Sequence, residues 1–310
     1  MKRVVSVSLG SSKRNKVAEV TLLGQPFRIE RIGTDGDRAA FRQKMQELDG
    51  QVAALGIGGA DRWVVSGNKR YAFRDVESLI AGVKQTPVVD GSGLKHTLER
   101  QTIERLAKDG TVDFRSLCTL LVSAVDRYGM AQALDAKGGR VIYGDLLFGL
   151  GLPLPVRSYR AVQRIASAIL PLITLMPIQW FYPTGSKQET RDPKFPKIFA
   201  EADVVAGDWH YIRRYMPDQM PGKTILTQTL READFDFLRG AGVRRAITTT
   251  PVIEGETFAT NVMEGVIVAY LEKSPEAITP EDYMRVLQEL NWSPAVVDLT
   301  SEPVGTASVH

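Results

Sequence analysis

The chain has 310 residues, 39 basic against 36 acidic, a formal charge of +3 and one cysteine. That length predicts about two domains with ample core, and the weak, scattered charge argues against nucleic acid as a main partner. A single cysteine, Cys118, excludes an internal disulfide and reads as an inert buried thiol in an apolar run. The opening MKRVVSVSLGSSKRNK lacks the apolar core of a secretory signal, so a cytoplasmic setting is expected.

Arg3 to Leu9 alternates and is rich in valine, which predicts a strand. Val17 to Leu23 and Phe27 to Ile32, split by Gly24-Gln25-Pro26, predict a small antiparallel element. Asp37 to Leu48 has Ala40, Phe41, Met45 and Leu48 on one helical face. Val52 to Ile57 is a buried strand that runs into Gly58-Gly59-Ala60-Asp61. Trp63 to Ser66 and Arg70 to Phe73 flank Gly67-Asn68-Lys69 as a hairpin. A helix over Asp75 to Val83 and a short strand at Pro87-Val88-Val89 follow. Asp90-Gly91-Ser92-Gly93 reads as a turn, and His96 to Lys108 as the next helix.

The central stretch, TLLVSAVDRYGMAQALDAKGGRVIYGD from Thr119 to Asp145, predicts a strand, a turn, a helix and a second strand. This is the layout of a dinucleotide-binding βαβ unit. In the register of its G-x-G-x-x-G turn stand Ala124, Asp126 and Gly129. Gly129 keeps the glycine for close packing, Asp126 brings a carboxylate to where a pyrophosphate would lie, and Arg127 can offset that charge. Asp145 lies about 20 residues on, where an acid holds a ribose 2′-hydroxyl, so NAD is expected over NADP. An ordinary α/β turn without a nucleotide is the competing reading.

Beyond Asp145 the pattern changes. Tyr159 to Trp180 is the most apolar part of the chain, interrupted by Pro171, preceded by Arg157, Arg160 and Arg164 and followed by Phe181 and Tyr182. It is too short to span a membrane. A pair of kinked helices at a domain or homo-oligomer interface is expected, with membrane-surface contact through residues 159–182 as the alternative. The polar loop Pro183 to Pro196 carries Lys187 and Arg191, which suit a lid over an anionic ligand as well as a solvated loop. Ala202 to Ala206 is a buried strand, and His210, Tyr211 and Arg213 just past its end are candidate substrate contacts. Thr224 to Thr227 and Val243 to Ile247 add strands, and Thr248 at the tip of the latter joins the candidate cofactor contacts. Asn261 to Tyr270 predicts a closing helix; Pro280 to Leu290 adds one more before a frayed tail. The fold expected is an N-terminal α/β domain (residues 1–109), a Rossmann-like doubly wound parallel-sheet domain (110–275) and a C-terminal helix and tail (276–310).

Three histidines without ligand spacing exclude a histidine metal site, and no P-loop or G-x-S-x-G elbow is present. Asp90-Gly91-Ser92-Gly93, followed by a helix and a Rossmann-like unit, resembles the N-T-D-G-x-G segment of shikimate/quinate dehydrogenases. The chain as a whole resembles bacterial proteins of the quinate 5-dehydrogenase-like group. The resemblance implies an NAD(P)-dependent oxidoreductase acting on a hydroxylated ring acid, with a lysine–aspartate pair moving the proton. It puts Asp90 at the catalytic aspartate. Val88-Val89 stand where that family has Asn-Thr, and Lys69, Lys84 and Lys95 are the lysines near enough in sequence to serve. The alternative from a different class is a non-catalytic Rossmann-like binding or regulatory module.

Overall fold

The computed structural model describes residues 1–67, 69–177, 190–250, 252–253 and 256–300. In chain order the first part holds β1 (Lys2–Ser8), β2 (Lys16–Leu22), β3 (Gln25–Gly33), α1 (Arg38–Leu48), β4 (Ala54–Gly58), β5 (Trp63–Ser66), β6 (Lys69–Ala72), α2 (Arg74–Ile80), β7 (Val88–Val89) and α3 (Ser92–Lys108). The second holds β8 (Cys118–Leu121), α4 (Tyr128–Lys137), β9 (Arg140–Tyr143), α5 (Tyr159–Ile173), α6 (Pro196–Glu201), β10 (Val204–Ala206), α7 (Trp209–Tyr215), β11 (Thr224–Thr227), α8 (Glu232–Gly240) and β12 (Arg245–Thr248). The hairpin β13 (Val252–Ile253) and β14 (Glu256–Thr257), α9 (Thr260–Leu271), α10 (Pro280–Glu289) and β15 (Ala295–Asp298) complete the chain.

Two sheets carry the architecture. The first has the order β2-β3-β1-β4-β7, parallel throughout except for the edge pair β2–β3. The antiparallel element expected at the start is thus the β2–β3 hairpin, and β3 runs parallel to β1. Alternate side chains along β1 serve opposite faces. Val5 and Val7 pack with Phe41 and Met45 of α1 and with Val76 and Leu79 of α2. Val4 packs with Leu94 and Leu98 of α3 and with Val262 and Val266 of α9.

The second sheet has the order β15-β12-β11-β10-β8-β9, with β15 alone antiparallel. Counted from β8 this is the 2-1-3-4-5 order of a doubly wound sheet, extended by one antiparallel strand. Met130 and Leu134 of α4 cover one face, and Phe199, Ile212 and Leu238 of α6, α7 and α8 the other. The fold is therefore two α/β units, the second Rossmann-like. Cys118 is buried in this sheet, and burial pushes its thiol up.

Four expected elements lie elsewhere than the sequence reading put them. Asn261 to Tyr270, read as closing the second unit, packs on β1 and β4 of the first. The stretch read as a frayed tail contains β15, whose Val296 and Val297 pair with Ile247 and Ala246. The helix expected from His96 begins at Ser92, because Asp90 Oδ1 accepts the Ser92 N–H (3.0 Å) and Gly91, at φ +90°, makes the bend. Finally, Tyr159 to Ile173 is one helix rather than a kinked pair, with Pro171 in its last turn. Its Val162 joins the core of the second unit, while Ala166 and Leu170 join that of the first. Trp180, Phe181, Tyr182 and Lys187 lie outside the described residues. Among the described residues no helix is long and apolar enough to cross a membrane.

Candidate functional site

Both parallel sheets turn their C-terminal edges toward one cleft of about 720 Å³. Strand C-termini collect ligands in such sheets, because the loops there leave polar groups unmatched by regular pairing. From the first unit come Ser8 and Gly10 after β1, Gly58 to Asp61 after β4, and Asp90 after β7. From the second come Asp126 and Arg127 after β8, Asp208, His210 and Tyr211 after β10, and Gln228 after β11. The strands β8 and β10 flank the point where strand order reverses, the usual ligand crevice.

Helix α3 runs behind the cleft. It packs against α4 on one side and against α9 and α10 on the other. Its start is held by Glu264 of α9, which accepts the Gly91 N–H (2.6 Å), the Leu94 N–H (3.2 Å) and the Tyr283 hydroxyl (2.7 Å). Burial, then Asp90, pushes the Glu264 carboxyl up to about 7. Its early turns deliver Lys95 to the cleft and Glu99 one turn deeper, at the i, i+4 spacing that shares a helix face.

Lys95 Nζ lies 2.6 Å from Asp126 Oδ1 and 3.3 Å from Asp61 Oδ1. Arg127 pairs with Asp126 (3.0 Å), Glu99 (2.5 Å) and Asp208 (3.0 Å), and Asp208 also accepts from Gln228 Nε2 (3.1 Å). Two cations thus face four carboxyl groups in a largely dry cluster. If all were ionised, two negative charges would be left over, and a buried site relieves that by keeping a proton. Asp61 keeps it. Burial, then the neighbouring Asp126, pushes its carboxyl up to about 8 against the pull of Lys95. Burial works against Asp126 as well, but Lys95 and Arg127 outweigh it and hold that carboxyl far below the usual range. Burial would lower Lys95; Asp126 and Asp61 reverse this and hold it as an ammonium. His96 beside it is kept neutral, pushed down to about 3 by burial and by Lys95.

The sequence-predicted residues divide. Lys95, Asp90, Asp126, Arg127, His210 and Tyr211 line the cleft. Asp90 is not the partner of the lysine, however. Its Oδ2 accepts the Arg62 and Trp63 N–H groups (2.7 and 3.1 Å) and its Oδ1 that of Ser92, so it staples loops. Lys69 is exposed on the β5–β6 hairpin, away from the cleft. Arg213 turns its guanidinium onto the Phe237 ring (5.4 Å), and Arg214 lines the cleft in its place. Thr248 is buried at the end of β12 opposite Ala295.

The β8–α4 turn does not fit a pyrophosphate. Asp145 accepts the Ala124 N–H (2.9 and 3.0 Å) and the Val125 N–H (3.0 Å) with the carboxylate expected to reach a ribose. The Arg127 N–H goes to Ser123 O, and the Gly129 N–H to His96 Nδ1 (3.4 Å). The donors that would cradle phosphate oxygens are already taken. Gly129 has its own packing reason. A Cβ there would meet His96 O at 2.2 Å, so this glycine lets α4 close on α3 rather than on a strand.

Asp61, Glu99, Asp208, Arg14 and Arg31 are site residues that the sequence reading did not select. Asp61 and Asp208 each follow a buried strand through a glycine, a signal already used for Asp90. Glu99 is marked only by its spacing from Lys95.

The arrangement defines a two-unit α/β protein whose polar cleft is built around a buried lysine–dicarboxylate cluster. The chain belongs to the family described as domain of unknown function (DUF8754), matched over residues 93–299, and residues 3–90 match a second such domain (DUF8753). No curated protein matches the sequence. Among solved structures it is similar to hetero-hexameric glutamate dehydrogenase from Thermus thermophilus, at 15% identity over 94% of this chain and 74% of that one, TM-score 0.41. It is also similar to a sugar ABC transport substrate-binding protein from Bordetella parapertussis (11% identity, 98% and 92% covered, TM-score 0.37). A third is a dipicolinate synthase from Bacillus halodurans (11%, 94% and 96%, TM-score 0.29). These likenesses are too distant to carry function.

Proposed function

We propose that the chain is an enzyme that binds a small hydroxylated acid in the cleft between its units and moves a proton on it through Lys95, Asp61 and Asp126. The observation that carries this reading is the ammonium of Lys95 between two carboxyl groups, one of which stays protonated to about pH 8. A structural ion pair needs one carboxylate. A second, held neutral beside it at a cleft, suits a group that donates and accepts a proton near neutrality. Lys95 stabilises the oxyanion that forms when a substrate hydroxyl gives up its proton, and Asp61 carries the proton.

The lysine–aspartate pairing at 2.6 Å also supports a second, narrower reading: an NAD(P)-dependent oxidoreductase of the quinate/shikimate type. The engaged donors of the β8–α4 turn weigh against it, so that reading needs its nucleotide seated elsewhere in the cleft. Calorimetric titration with quinate and shikimate, alone and with NAD or NADP, followed by turnover assays of wild type and Asp61→Asn, tests both readings. Saturable binding with turnover lost in Asp61→Asn is expected. Binding that Asp61→Asn and Lys95→Met leave unchanged, without turnover in any protein, returns the chain to the class of non-catalytic binding modules.

A further inference from the structure

One corner of the cleft lies away from the acid–base cluster. Arg14 and Arg31 both line it, and their guanidinium groups converge on Gly10. A Cβ built at Gly10 would sit 3.0 Å from an Arg31 nitrogen and 3.2 Å from an Arg14 nitrogen. Arg31 is partly buried on β3 and anchored rather than loose: it donates to Ser11 O and to Ser8 Oγ, both at 3.0 Å. Those partners are neutral. Burial and the neighbouring Arg14 both push the Arg31 guanidinium below its ordinary range, the mark of two like charges held together at some cost. The nearest carboxylate, Asp35, accepts the Ser12 N–H (2.8 Å).

We propose that Arg14, Arg31 and Ser8 form an anion subsite that takes the phosphate of a phosphorylated ligand whose other end reaches Lys95 and Asp61. The inference rests on the reading of the cleft as a ligand site and narrows its substrate class. Two guanidinium groups facing one small space call for a compact ligand with two charges, and a phosphate monoester carries nearly that many at neutral pH. A single carboxylate offsets one. The spacing agrees with a two-ended ligand. Arg31 sits on β3 and Asp61 follows β4, with β1 between them, so the anchors are two strand spacings apart, about 10 Å. That distance exceeds the reach of a bare hydroxy acid and suits a phosphorylated one.

The test is calorimetric titration of the full chain with inorganic phosphate, with acetate in parallel. Wild type and Asp61→Asn should bind phosphate alike, more tightly at pH 7.5 than at pH 5.5 as the second charge develops. Arg31→Gln should bind at least tenfold more weakly. Because Arg31 also holds Ser11, a second variant guards against local unfolding: Gly10→Ala puts a methyl between the guanidinium groups and should weaken phosphate several-fold. Equal phosphate affinity in wild type, Arg31→Gln and Gly10→Ala overturns the proposal, as does no phosphate binding by wild type. Acetate as tight as phosphate overturns the phosphate assignment, and loss confined to Asp61→Asn overturns the location. The acid–base reading fails separately, through turnover, without changing these isotherms.

Discussion

Lys95 Nζ and Asp126 Oδ1, 2.6 Å apart, join the helix behind the cleft to the loop after the first strand of the second sheet. Both side chains are over nine-tenths buried. Lys95→Met removes the cation and leaves Asp126 and Asp61 facing each other in a low-dielectric site. Breaking a buried pair from one side costs about 3–5 kcal/mol. We expect a loss of that order in urea unfolding at pH 7, and recovery of much of it in Lys95→Met/Asp126→Asn, where the uncompensated charge is gone. Equal stability of the single and double variants would show that the pair is not coupled.

Asp61 sets a pH dependence whose sign follows from its raised carboxyl. Between its ordinary value, near 3.8, and about 8, the folded chain keeps a proton that the unfolded chain has released. Its contribution to stability is therefore complete below that window, falls as pH rises through it and levels off above. Asp61→Asn should flatten this part of the profile and be more stable than wild type at pH 9. Thermal unfolding from pH 4 to 9 reads it directly; parallel profiles for the two proteins would contradict it.

Strands and helices were legible where periodicity was strong. The alternation of Val4, Val5 and Val7 marked β1, and the run before Asp126 marked β8. What could not be read was partnership across the chain. Nothing local distinguishes an α9 that covers β12 from one that covers β1, since an apolar helix face fits either sheet. The candidate site was half legible for the same reason. Position after a strand selected Asp126 and Asp90, but which carboxylate meets Lys95 depends on how the two units close. Asp90 is used up by three backbone N–H groups, and Asp61, equally placed after a strand, meets the lysine instead.

Gly129→Ala tests the contact that makes this closure. The added methyl would meet backbone, His96 O at 2.2 Å, so neither partner can yield by a rotamer change. Helices α3 and α4 must part, and overpacking of this kind costs about 1–3 kcal/mol or more. Separation also draws Lys95 from Asp126, so ligand affinity should fall together with the melting temperature. A variant of wild-type stability would mean that α4 does not seat on α3 in this way.

Arg213 and Arg214 are neighbours with opposite expected roles. Arg213 covers the Phe237 ring, whereas Arg214 lines the cleft. Arg214→Ala should weaken ligand binding by about tenfold or more, the worth of one charge-assisted hydrogen bond. Arg213→Ala should leave affinity unchanged and lower only stability. The reverse ranking in calorimetry would place the ligand on the other side of α7.

Asp145→Ala separates a cofactor contact from a structural one. If this carboxylate met a ribose, its loss would weaken NAD and spare the fold. Its contacts lie inside the turn instead: it accepts the Ala124 and Val125 N–H groups just past β8, where the chain bends toward Asp126 and Arg127. A methyl in its place leaves two buried donors without an acceptor, at about 1–3 kcal/mol each. Asp145→Ala should therefore lower stability by roughly 2 kcal/mol or more on that accounting. Asp145→Asn, which keeps one acceptor oxygen, should lose less. Neither change should alter any preference between NAD and NADP. The discriminating measurement is a pair of cofactor titrations at a temperature where all three proteins are folded: a drop in NAD affinity alone, with stability untouched, would return Asp145 to the ribose.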